Sequence, residues 1–174
     1  MKNNQGVTLI ELIIVMAIAG ILAGGSIIGV RLLGVGSAKR NANRIDSMLD
    51  FVQLQNMTKS KVHYLIISEE NGTYVMKVRA GAGTEDPILA KEELKLVRGE
   101  ITYQRKYDGT TYLLSSTPVP GRTISPKLEI CFRKDTGGVS MNTQGDIITR
   151  IGVTSAGRSY TIHLVEATGK HYID

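Results

Sequence analysis

Tryptophan is absent, phenylalanine occurs only twice, proline four times, and a single cysteine, Cys131, stands among 174 residues. One cysteine excludes an intrachain disulfide, so the fold must hold by packing and hydrogen bonding alone. Its neighbours Ile130 and Phe132 are apolar, which reads as a small buried hydrophobe rather than a reactive thiol. Also missing are Cys-x-x-Cys, His-Glu-x-x-His and the glycine-rich phosphate loop, and with them the commonest metal and nucleotide signatures. The three histidines, His63, His163 and His171, fall on separate strand-like segments without ligand spacing. Asp135-Thr136-Gly137-Gly138 contains the D-T-G of aspartic proteases, but a second such motif is lacking and a β-turn explains it. The expectation is a protein that is not an enzyme, with no cofactor and no bound metal.

Charge is absent from one long stretch. Hydrophobic residues make up 42% of the chain, yet mean hydropathy is only −0.02, so the apolar residues must be concentrated. They run from Val7 to Val30, and the 19 residues from Leu12 to Val30, between Glu11 and Arg31, carry no charge. About 20 apolar residues in a helix cross the hydrocarbon of a bilayer, so residues 7–30 are expected to span a membrane once. The rest is rich in turn formers, with 19 glycines and seven tyrosines, a profile suited to strands joined by turns. The net charge is +5 and the isoelectric point about 9.3. That balance permits anionic partners without selecting one.

A secretory signal would have a shorter apolar core followed by a small-x-small cleavage site. An ordinary signal anchor fits the length and leaves Glu11 unexplained. The remaining reading places a cut ahead of the apolar run. The string Gly6-Val7-Thr8-Leu9-Ile10-Glu11-Leu12, behind a short polar leader with Lys2, resembles the class III signal of type IV prepilins and type II secretion pseudopilins. The resemblance implies cleavage after Gly6 by a membrane prepilin peptidase and N-methylation of Val7. Glu11 is then the fifth mature residue, as the family requires. Val7 stands where phenylalanine or methionine is usual, and Gly24, Gly25 and Gly29 occupy the region where many relatives carry a kinking proline.

The same resemblance implies a role for Glu11. A carboxylate in a membrane segment is costly, and pairing it with the new α-amino group of a neighbouring subunit favours correct axial register in a filament. The implied partners are the peptidase, other pilin subunits and the membrane. The implied location is the cytoplasmic membrane for the precursor and a cell-surface filament once assembled. Basic residues alone argue the other way. Lys2 precedes the span, whereas Arg31, Lys39, Arg40 and Arg44 follow it, which by charge would hold the C-terminal part inside. A cleavage signal makes sense only on the cytoplasmic face, so the domain is expected outside.

Beyond Val30, Ala38, Ala42, Ile45, Leu49 and Val52 recur at three- and four-residue steps, an amphipathic helix whose stripe should cover a sheet and which ends near Lys59 and Lys61. From Val62 the period shortens to two. Hairpins are expected at 62–68 with 73–79 and at 101–107 with 111–115, and strands at 128–133, 147–153, 160–165 and 171–173. Residues 116–126 read as a long loop, and 88–97 suit either a short helix or a strand. The expected class is α+β, with a leader at 1–6, a helix at 7–61 and an antiparallel β-rich domain at 62–174. This layout looks most like the minor H-type pseudopilins.

The function expected is that of a minor pilin or pseudopilin, a structural subunit of a pilus-like filament. The alternative is a membrane-anchored extracytoplasmic binding protein that does not polymerise. Nucleic acid is the secondary ligand hypothesis. Arg105 and Lys106 lie among Tyr103, Tyr107 and Tyr112, where phosphate contacts and base stacking would combine.

Overall fold

The computed structural model describes the backbone of residues 9–81, 85–96 and 98–174, and the side chains of those residues except 20–35. One helix, α1 (Leu9–Thr58), 50 residues long, precedes eleven strands. At 1.5 Å per residue it extends about 75 Å. The strands are β1 (His63–Glu70), β2 (Thr73–Ala80), β3 (Ile88–Leu94), β4 (Glu100–Arg105), β5 (Thr111–Leu114), β6 (Ile124–Ser125), β7 (Lys127–Phe132), β8 (Val139–Ser140), β9 (Ile148–Ser155), β10 (Arg158–Leu164) and β11 (His171–Ile173). They form two sheets, ordered β3-β2-β1-β7-β8 and β11-β10-β9-β4-β5-β6. All pairs are antiparallel except β5–β6. The chain is therefore α+β, with an antiparallel β-rich domain after a helix, as expected.

The amphipathic stripe does what its spacing demands. Ala38, Ala42, Ile45, Leu49 and Val52 are all 0% exposed, because steps of three and four keep them on one face. That face touches β1 and β7 of the first sheet and β9, β10 and β11 of the second. One core results, in which the helix meets Leu65, Ile67, Ile130, Phe132, Ile151, Val153 and Ile162. Burying Ile45, Leu49 and Val52 alone contributes about 5–9 kcal/mol as an upper bound.

Both hairpins form. In the first, Leu65 pairs with Val78 and Glu70 with Thr73, and Asn71 and Gly72 close the turn with φ of 51° and 75°. Two successive left-handed residues match the twist of the strands they join. The second hairpin pairs Tyr103 with Tyr112. Within 88–97, Ile88–Leu94 forms the edge strand β3. Two short strands were not anticipated: β6, inside the expected 116–126 loop, and β8. Two residues give too little alternation to be seen as a pattern. The helix also stops at Thr58 with no basic residue in its last turn, so Lys59 and Lys61 sit beyond it rather than within it.

The expected span at 7–30 falls mostly outside the described side chains. Among the described residues, no helix is long and apolar enough to cross a membrane.

Candidate functional site

Gly6 and Val7 lie outside the described residues. Glu11 stands in the first turn of α1, where a carboxylate favours the positive end of the helix dipole. Around it, Leu9, Ile10, Leu12, Ile13, Ile14, Val15, Met16 and Ile18 are between 51% and 79% exposed. Apolar surface this continuous marks a region made to be covered. The helix thus has two unlike parts: a C-terminal stretch buried in the domain's core, and an N-terminal stretch apolar on all sides with a single acid.

The second expected site is arranged quite differently from a phosphate-binding face. The Arg105 guanidinium lies 4.0 Å above the Tyr112 ring, which stacks on Tyr103 with centroids 5.3 Å apart. Its Nε faces Asp146 Oδ2 at 3.1 Å. Tyr112 in turn donates its hydroxyl to Asp108 Oδ2 at 2.7 Å, which with the Thr110 N–H holds the Asp108 carboxyl below its usual range. Lys106 Nζ pairs with Glu166 Oε2 at 2.5 Å, and Arg133 reaches the other oxygen of the same carboxylate at 3.7 Å. Both cations are thus engaged within the domain, and the Tyr103 and Tyr112 rings stack on each other and against Arg105, while Tyr107 is 63% exposed beside Lys106. The nucleic-acid hypothesis gains no support from this geometry.

Cys131 is buried, donates to the Met141 carbonyl at 3.1 Å, and burial pushes its thiol up to about 11. It is the inert small residue its neighbours suggested. Asp135-Thr136-Gly137-Gly138 is a turn linking β7 to β8, closed by the Arg133 N–H donating to the Gly138 carbonyl at 2.7 Å.

Three arrangements escaped the sequence. Asn56, fully buried near the end of α1, donates from Nδ2 to the His63 carbonyl at 2.9 Å and accepts from the His63 N–H at 2.5 Å. Glu129, 3% exposed on β7, accepts from the Thr143 N–H at 2.9 Å and from Lys127 Nζ at 3.1 Å. Burial opposes its charge, but these donors outweigh it and keep the carboxyl below its usual range. The third brings His171 of β11 onto Asp46 and Asp50 of α1. The imidazole Nε2 lies 3.6 Å from Asp46 Oδ1 and 3.2 Å from Asp50 Oδ1. Burial raises the Asp46 carboxyl above its usual range, His171 partly offsets this, and Asp50 adds to it. Among the described residues this is the group able to offer three ligand atoms to a metal ion. The spacing of Asp46 and Asp50 on one helical face was visible in advance. That His171 joins them was not, because only the turn into β11 places it there.

Residues 1–27 match the family described as the prokaryotic N-terminal methylation motif. This is the signal of a type IV pilin-like precursor. No curated protein and no solved structure matches the chain. The matched segment contains Gly6, Val7 and Glu11 and the exposed apolar residues at the start of α1.

Proposed function

We propose that the chain is a minor pilin or pseudopilin, cleaved after Gly6 by a prepilin peptidase and built into a pilus-like filament through the N-terminal half of α1. Its role is structural rather than catalytic. The observation that carries this reading is the methylation motif at residues 1–27, continuous with a helix whose first described turns are apolar on every face. Before assembly the apolar run of residues 7–30 anchors the chain in the cytoplasmic membrane by a single span, with the β-rich domain outside. In the filament the same surface packs against other subunits. Glu11 pairs with the α-amino group of a neighbour and sets its register.

Intact mass and N-terminal sequence of the protein from membranes, with and without an active prepilin peptidase, test this directly. A chain starting at methylated Val7 supports the reading. If Met1 to Gly6 persist beside an active peptidase, the protein is instead an anchored binding protein that does not polymerise.

A further inference from the structure

We propose that Asp46, Asp50 and His171 bind one divalent transition-metal ion of the zinc class, which clamps the C-terminal strand β11 to helix α1. The proposal is independent of the N-terminal signal and rests on the chemistry of the three side chains.

The His171 imidazole is 5% exposed on its side chain, so both of its nitrogens need partners within the protein. Nδ1 lies 3.0 Å from the Gly169 carbonyl oxygen. A carbonyl only accepts, so Nδ1 carries the proton and donates it. In the neutral ring Nε2 is therefore a bare lone pair, and it points at two carboxylate oxygens. Three electron-rich atoms converging without a donor repel one another unless a positive charge sits among them. Asp46 Oδ1 is itself buried and has no hydrogen-bond partner among the described residues, so the charge comes either from a bound cation or from a second proton on the imidazole. A carbonyl on one imidazole nitrogen and a metal on the other is the usual arrangement of a ligating histidine, because the hydrogen bond fixes the tautomer and the ring orientation.

The distances suit a small ion. A tetrahedral ion about 2.0–2.2 Å from each donor sets donor–donor edges of about 3.3–3.6 Å. The two edges at Nε2 measure 3.2 and 3.6 Å, and all three atoms lie within 4.8 Å of one another. Asp50, with 71% of its side chain exposed, is free to adjust its rotamer around an ion. Asp46 and Asp50 are one helical turn apart and so share a face. One imidazole with two carboxylates favours zinc, manganese or iron over magnesium and calcium, which prefer oxygen alone. The ligands line an open hollow of about 350 Å³ with Gln53, Thr168 and Lys170. This leaves room for water as the remaining ligand. Lys170 also lines the hollow, and its charge weakens cation binding there.

Proton and metal compete for Nε2, since an imidazolium between two aspartates would also balance the charge. The test must separate them. Untagged full-length protein in detergent micelles, stripped with a chelator, is titrated with Zn²⁺ at neutral pH by calorimetry, and with Co²⁺ by visible absorption. One equivalent should bind at micromolar metal, with the d–d bands of a low-coordinate Co²⁺ site. Asp50→Asn and His171→Gln should each weaken binding by about tenfold or more, while Lys170→Ala should tighten it. Zinc should raise the melting temperature of the wild type and not of Asp50→Asn. Because Asp50 is largely exposed, that variant stays folded even if His171→Gln does not. Absence of binding to the wild type, or an unchanged titration in Asp50→Asn, overturns the proposal and leaves an imidazolium–dicarboxylate ion pair.

Discussion

Glu129 and His63 are both buried titratable side chains, and they respond to acid at different pH. Burial lowers His63 below its ordinary range, the backbone hydrogen bond at Lys61 opposes this, and the charges of Lys134 and Lys59 add to the lowering. The native state therefore keeps it neutral where the unfolded chain would bind a proton. Stability is full above about pH 6.5 and falls as the pH drops from there through the lowered native value. Glu129 is held ionised in the fold, so its contribution is present above about pH 4 and lost as the pH falls through its own lowered value. Urea midpoints measured from pH 8 to pH 3 should fall in two steps. His63→Gln should flatten the upper step alone, and equal slopes in the two proteins would refute the assignment. Glu129→Ala strands the Thr143 N–H and the Lys127 ammonium, and should cost about 2–4 kcal/mol at neutral pH by urea denaturation. Gly169 is also tightly constrained. It has φ of 66°, and a Cβ there would come within 2.0 Å of the Gly137 carbonyl oxygen. Gly169→Ala should therefore destabilise by about 2–4 kcal/mol and displace His171 with the turn.

At the scale of elements, the joint between α1 and β1 depends on Asn56. Its amide satisfies both backbone groups of His63, in a place where neither water nor a strand partner would replace it. Asn56→Ala should cost about 2–3 kcal/mol in a urea melt, and Asn56→Asp should lose the half of the clamp that needs a donor. The β1–β2 hairpin and a further hairpin, β9–β10, in which Ser155 pairs with Arg158, offer a matched comparison. Asn71-Gly72 closes one and Ala156-Gly157 the other, with Ala156 at φ 51° and Gly157 at 77°. Alanine has no side-chain compensation for the left-handed region, whereas asparagine tolerates it. Ala156→Asn should stabilise the protein by about 0.5–1 kcal/mol, seen as a rise of about 1–4 °C in melting temperature. The edges of the sheets are guarded by brevity and charge. β8, β6 and β11 are two or three residues long, and the longer edge strand β3 carries Lys91, Glu92 and Glu93. Such edges resist pairing with other chains.

For the whole molecule, the exposed and buried parts of α1 separate the proposed assembly surface from the folded core. Residues 9–19 are exposed throughout, while the core begins at Ala38. A chain lacking residues 1–35 should accordingly fold with an unchanged urea midpoint while failing to enter filaments. Glu11→Val should leave membrane insertion and domain stability intact and reduce the fraction of subunits recovered in sheared filaments by about tenfold or more, consistent with removal of a charge that selects register. Normal recovery would detach Glu11 from assembly.

Period and punctuation made much of this legible in advance. The stripe from Ala38 to Val52, the alternation of Leu65 and Ile67, and the turn residues at Asn71-Gly72 and Asp108-Gly109 are local signals, and each reports its own backbone. The N-terminal signal is likewise read from adjacent residues. Arg105 and Lys106 show where such reading fails, because charge in the sequence says nothing about which acid the fold will bring to it, and here Asp146 and Glu166 do so. Asn56 on His63 and Glu129 on Thr143 were equally invisible. The sequence by itself determined the helix with its unlike halves, the pairs of strands joined by short turns, and the N-terminal methylation motif, because all of these follow from spacing between near neighbours. Only the tertiary structure decided how two sheets share one helix, which charges are buried or paired, and that His171 meets Asp46 and Asp50, because those contacts join residues that only packing of the distant chain brings together.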